Sequence, residues 1–147
     1  MSELYGSDAY APREVARRVE TVGVAKARLA LLPLMMLGLL AGAFIGLGAM
    51  FFTLVRSDPS LGFALGSVLG GLVFSMGLLL VVVAGAELFT GNNLLAMAWA
   101  DGKISSADVL RNWVLVCLAN LIGAAGLAAL VFASGHTELN GGAIGQQ

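Results

Sequence analysis

Charge is scarce in this chain. Asp, Glu, Lys and Arg make up only 12% of its 147 residues, against roughly 25% in an average soluble domain. Cysteine occurs once, at Cys117, which excludes a disulfide within the chain; set in an apolar run, it reads as a packing residue. Histidine also occurs once, at His136. No group of His, Cys, Asp and Glu has metal-ligand spacing, and no nucleophile has a base that the sequence can place beside it. Nothing here supports an enzyme, and no metal or cofactor is expected. The net charge of −1 carries no basic footprint, so no nucleic-acid partner is expected either.

What the chain has in abundance is hydrophobic sequence, 59% of the whole. The stretches 29–55, 59–86, 88–100 and 112–137 contain no Asp, Glu, Lys or Arg. Runs of ~18 or more apolar residues read as transmembrane helices, because the bilayer core admits little else. The first run is too long for the ~7–15-residue core of a secretory signal. The expectation is an all-α membrane protein with three crossings and the lipid bilayer as its solvent. Arg13, Arg17, Arg18, Lys26, Arg28, Lys103 and Arg111 then fall on one side and Arg56 on the other. Positive charge stays inside, which puts the N-terminus and the 101–111 loop in the cytoplasm, across the cell (inner) membrane. Trp99 and Trp113 flank that loop as interfacial anchors.

Three regions follow. Residues 1–28 form a cytoplasmic segment, polar to about residue 11 and then an amphipathic helix opened by Pro12, with Val15, Val19 and Val22 on one face. Residues 29–133 hold the three spans, and 134–147 form an external tail. Gly38, Gly42 and Gly46 in the first span, and Gly62, Gly66 and Gly70 in the second, recur at four-residue spacing. Such stripes let backbones approach closely, within a chain or between chains. Ser105 followed by Asp108 is a helix-start signal for the third span.

The stretch 64–100 poses a length problem. As one straight helix it would run ~55 Å, at about 1.5 Å per residue, yet the hydrocarbon core is ~30 Å and two full spans need more than ~40 residues. One crossing in two pieces resolves this, interrupted at GAELFTGNN (85–93). A break at that depth is tolerated only where protein or water covers the freed backbone groups.

VVAGAELFTG (82–91) resembles the signature of the formate/nitrite transporter family: two aliphatics, any residue, Gly, a small residue, an acid, then Leu-Phe-Thr-Gly. LAGAFIGLG (40–48), GGLVFSMGLLL (70–80) and RNWVLVCLANLIGA (111–124) extend the resemblance over about residues 20–133. The resemblance implies an aquaporin-like fold of two inverted three-span repeats, assembled as a homopentamer with one pore per protomer. It implies passage of a small monovalent anion such as formate, nitrite or hydrosulfide. Only the first repeat is present, its second span being the broken one. The chain is therefore expected to be a truncated or split gene product that needs a second three-span repeat, with that repeat's central histidine, to complete each pore.

The same resemblance places Leu88, Phe89 and Thr90 at the pore constriction, with Phe74 and Leu78 facing the pore from the preceding helix. Glu87 reads as structural, since a carboxylate repels an anion, its expected partners being backbone N–H groups freed by the break; the alternative is a direct role in gating or proton transfer. Gly91, Asn92 and Asn93 complete the loop, the two asparagines capping the second half-helix. The competing expectation is a non-conducting three-span scaffold or assembly subunit of the same descent.

Overall fold

The computed structural model describes residues 10–147. Most of the polar segment 1–11 lies outside the described residues. Helix α1, Pro12–Ala27, starts at a proline whose missing N–H costs nothing in a first turn; the Ala11 amide donates to Glu14 Oε2 at 3.1 Å. Helix α2, Leu31–Arg56, follows after a short turn. A single 3₁₀ turn, Pro59–Leu61, held by Ser60 N donating to Asp58 Oδ1 at 2.8 Å, leads into α3, Gly62–Ala84. Two short helices come next, α4 at Phe89–Asn92 and α5 at Leu95–Ala100. Helix α6, Ser106–Ala133, opens on a capping box: Ser105 Oγ accepts from Asp108 N, and Asp108 Oδ2 accepts from Ser105 N. Three stretches, Leu31–Arg56, Pro59–Ala84 and Ser106–Ala133, are long and apolar enough to cross a membrane.

Helix α2 sits between α3 and α6, and glycine sets both contacts. A methyl group on Gly38 would come within 2.6 Å of the Ala119 Cβ, and one on Gly42 would collide with the Asn120 carbonyl. On the other side Gly48 meets Gly77, where an added Cβ would stand 2.7 Å from the Phe74 carbonyl. The stripe of the first span thus serves packing within the chain. That of the second does so less: a Cβ on Gly62 would have nothing within 4 Å, and those on Gly66 and Gly70 would meet the Arg56, Leu61 and Phe52 side chains and no backbone.

Helix α1 docks on α5 chiefly through small residues, with Val24 packed beside them. Gly23 and Ala27 are buried against Leu95 and Ala98, while Val15 and Val22 stay about half exposed. The tail after α6 is not free either. It folds into three single 3₁₀ turns, buries Ile144, and donates from Asn140 Nδ2 to the Ser57 carbonyl at 2.9 Å. The outward faces of α3 and α6 carry large apolar side chains in the open, among them Phe63, Val83, Leu130 and Phe132. Faces of that kind suit lipid or further protein, not water.

Candidate functional site

Helix α3 stops because Gly85 takes a left-handed conformation, φ +61°. Its amide donates to the Val82 carbonyl at 3.2 Å and the Ala86 amide to Val81 at 2.9 Å, the paired closure that satisfies the last carbonyls of a helix. The chain then runs extended into α4, and its freed backbone groups find partners one by one. Glu87 N donates to the Leu37 carbonyl of α2 at 3.2 Å. Asn120, from α6, serves two more: its Oδ1 accepts from Phe89 N at 2.9 Å, and its Nδ2 donates to the carbonyls of Glu87 (2.9 Å) and, on α2, Gly38 (2.8 Å). One amide side chain thereby ties the break to both long helices.

A second network surrounds the Glu87 carboxylate, which is buried. Lys26 Nζ, at the end of α1, donates to Glu87 Oε1 at 2.8 Å and to Asn92 Oδ1 at 3.1 Å. Asn92 Nδ2 donates to Glu87 Oε2 at 2.8 Å and to Asn112 Oδ1 at 2.9 Å. Asn112 Nδ2 returns to the Lys26 carbonyl at 3.3 Å, and Trp113 Nε1 donates to the Asn92 carbonyl at 3.0 Å. Asn92 and Asn112 are fully buried, and every polar atom of the Asn92 side chain is used. Complete satisfaction is what makes a buried polar group tolerable.

Two expectations from the sequence change here. The carboxylate of Glu87 takes side-chain donors, Lys26 and Asn92, and not the backbone N–H groups of the break, of which the Glu87 and Phe89 amides go to Leu37 and Asn120. Nor do Asn92 and Asn93 cap α5. Leu94 precedes that helix with no side-chain cap; Asn92 is the buried hub, and Asn93 closes α4 exposed. Trp113 likewise does more than mark an interface, since its ring holds both Asn92 and Phe89.

Beside this network lies a groove of about 380 Å³. Leu78, Val81 and Leu88 give it apolar walls, and Thr90, Glu87 and Lys26 supply its polar groups. Of the residues singled out from sequence, Leu78, Glu87, Leu88, Thr90 and Gly91 line it together. Gly91 has open space where a Cβ would stand. Phe74 sits further along α3, packed edge-to-face on Phe52 with centroids 6.4 Å apart. Phe89 turns away from the groove onto Trp113, centroids 6.3 Å apart. Lys26, Asn112 and Asn120 were not singled out. Their signal was present: two amides inside an apolar span, and the cation that stands just before the first one.

The profile of the family described as formate/nitrite transporter matches residues 13–147. The formate channel FocA of Haemophilus influenzae is 35% identical over 98% of this chain and 51% of its own length. The formate channel BtFdhC of Bacillus thuringiensis is 44% identical over 77% of this chain and 44% of its own, and the uncharacterized transporter YrhG of Bacillus subtilis 45% identical over 77% and 43%. The chain thus spans about half the length of these relatives. An all-helical chain with three membrane-capable helices, matched by that family over most of its length, is a membrane protein and belongs to the formate/nitrite transporter family.

Proposed function

We propose that this chain forms half of a membrane channel for small monovalent anions, formate, nitrite or hydrosulfide, with the groove beside Glu87 as its part of the pathway. Leu78, Leu88 and Thr90 face the ion directly; Phe74 continues the path along α3, and Phe89 sets the loop that carries Leu88 and Thr90. The interrupted segment 64–100 makes one crossing. A second, inverted three-span repeat closes the groove into an aquaporin-like pore and brings a central histidine. Five such protomers assemble as a homopentamer in the cell's inner membrane, with residues 1–28 cytoplasmic, 29–133 spanning and 134–147 external.

The observation that carries this reading is the pairing of an apolar groove with a neutralised carboxylate. Alone, Glu87 would repel an anion. Bonded to Lys26, it leaves the groove with no net charge, while the part-exposed ammonium stays on the groove wall. An anion entering there meets a fixed cation before it loses water against Leu78 and Leu88, and the exposed Thr90 hydroxyl can donate to it. A weak acid crosses such a constriction more readily when it gains a proton at the centre, the step the second repeat's histidine would serve.

The test is formate uptake by proteoliposomes holding the full-length gene product. Saturable uptake that nitrite competes with supports the channel. Tight membrane assembly with no uptake of formate, nitrite or hydrosulfide would replace it with the scaffold.

A further inference from the structure

Arg56 carries a charge that nothing described neutralises. It ends α2 at the face of the molecule opposite the 101–105 loop, and no other Lys or Arg occurs between Arg28 and Lys103. Its Nη1 lies 3.4 Å from the Phe63 carbonyl and 3.3 Å from Ser67 Oγ, and its guanidinium carbon 5.8 Å from the centre of the Phe63 ring. These groups position the guanidinium, and none of them is an anion. Among the described residues no carboxylate reaches ion-pair distance of Arg56, and its Nε and Nη2 have no partner. Lys26 presents the opposite case, its charge being matched by Glu87.

Position gives the charge a use. Phe63, Ser67, Phe74 and Leu78 recur at intervals of four, seven and four, so they share one face of α3. Arg56 is bonded at one end of that face, and Leu78 enters the groove at the other. The hollow beside Arg56, about 260 Å³, also has Asp58 on its wall. That carboxylate is turned to the Ser60 amide and hydroxyl, whose hydrogen bonds hold its pKa below the ordinary value, so it persists as an anion beside the guanidinium without pairing to it.

Resting on conduction through the groove, we infer that Arg56 is the anion-capturing residue at this mouth of the pathway. Its ligand class is the planar monovalent oxyanion, carboxylate or nitrite, because a guanidinium fork offers two parallel N–H groups to two oxygens; a hydrosulfide has one acceptor atom and takes only one. Capture raises the local anion concentration before the apolar stripe. Asp58 opposes it and sets how strongly the mouth attracts.

The experiment compares initial formate entry into whole cells with entry into inverted membrane vesicles, for the full-length product and for Arg56→Gln, Arg56→Lys and Asp58→Asn. At low ionic strength R56Q should slow entry by about tenfold, the low end of what charge focusing gives, and from either face alike, since a passive pore has one permeability. The gap should close near 1 M salt, where the screening length is ~3 Å. R56K should restore most of the rate and D58N should raise it above wild type. R56Q matching wild type at low salt overturns the inference, as does an equal loss at every salt, which is the mark of a structural role. Wild-type protein that moves none of formate, nitrite and hydrosulfide overturns the channel reading and this inference with it; wild-type flux with an unaffected R56Q removes Arg56 alone.

Discussion

Lys26 and Glu87 are the two residues on which the site most depends. Removing one partner of a fully buried ion pair costs about 3–5 kcal/mol, because the charge left behind has lost water and found nothing. Lys26 keeps 26% of its side chain exposed, so Lys26→Met should cost less, ~2 kcal/mol. Glu87→Leu strips a bond from both Lys26 and Asn92 and should cost as much. The double variant should be more stable than the sum of the two predicts, by ~1 kcal/mol or more. Denaturation of the purified protein in detergent, across that four-member cycle, checks it; strict additivity would mean the pair is not coupled. Glu87 stood out in the sequence because a carboxylate at bilayer depth must have partners. Which partners was not legible. Lys26 lies 61 positions away, and only the docking of α1 on α5 brings it there.

At the scale of helices, composition and spacing said most. The uncharged runs 29–55 and 112–137 mark the first and third spans, and the structure has Leu31–Arg56 and Ser106–Ala133. The partner of the first glycine stripe did not follow, since small residues at that spacing suit any close helix. In the structure Gly42 lies against the backbone of α6 at Asn120. Gly42→Leu should therefore abolish stable membrane insertion or lower the melting temperature steeply, whereas Gly71→Ala, with nothing within 4 Å, should leave both unchanged. Membrane yield and thermal unfolding in detergent read the difference. On α1 the close approach to α5 is at Gly23, where an added Cβ would stand 3.2 Å from the Ala98 Cβ. Helix α1 is also pinned by Lys103, which pairs with Asp101 and with Glu20. Those two partners, Asp101 first, raise the Lys103 pKa. A raised lysine pKa means the tether is intact below the ordinary value of about 10.4 and is lost as pH climbs past the folded one. Amide exchange in Pro12–Ala27 should thus be slow and constant, after correction for intrinsic rates, through pH 9 and should rise only above ~10.4. Lys103→Met should raise it through pH 9, where the tether is intact, and converge with wild type once the tether is lost.

The whole molecule is an incomplete enclosure. Its three membrane-capable helices leave large apolar faces uncovered on α3 and α6, and the groove beside Glu87 is open along one side. Membership of a transporter family was legible from a ten-residue signature; the residues that hold that signature in shape were not, because they come from α1 and α6. Orientation can be checked in a Cys117→Ser background: Lys103→Cys should react with an impermeant maleimide only in inverted vesicles, and Ser60→Cys only in whole cells. The central claim is that the groove itself carries the ion. Its most direct measurement is formate flux through the full-length protein bearing Thr90→Cys in the same background, before and after a small charged thiosulfonate, with Val83→Cys on the outward face of α3 as the comparison. Modification at residue 90, verified by intact mass, should stop flux, and excess formate should slow that modification, while residue 83, on the apolar outward face, stays unmodified with flux unchanged. Full modification at residue 90 with flux unchanged would contradict the account.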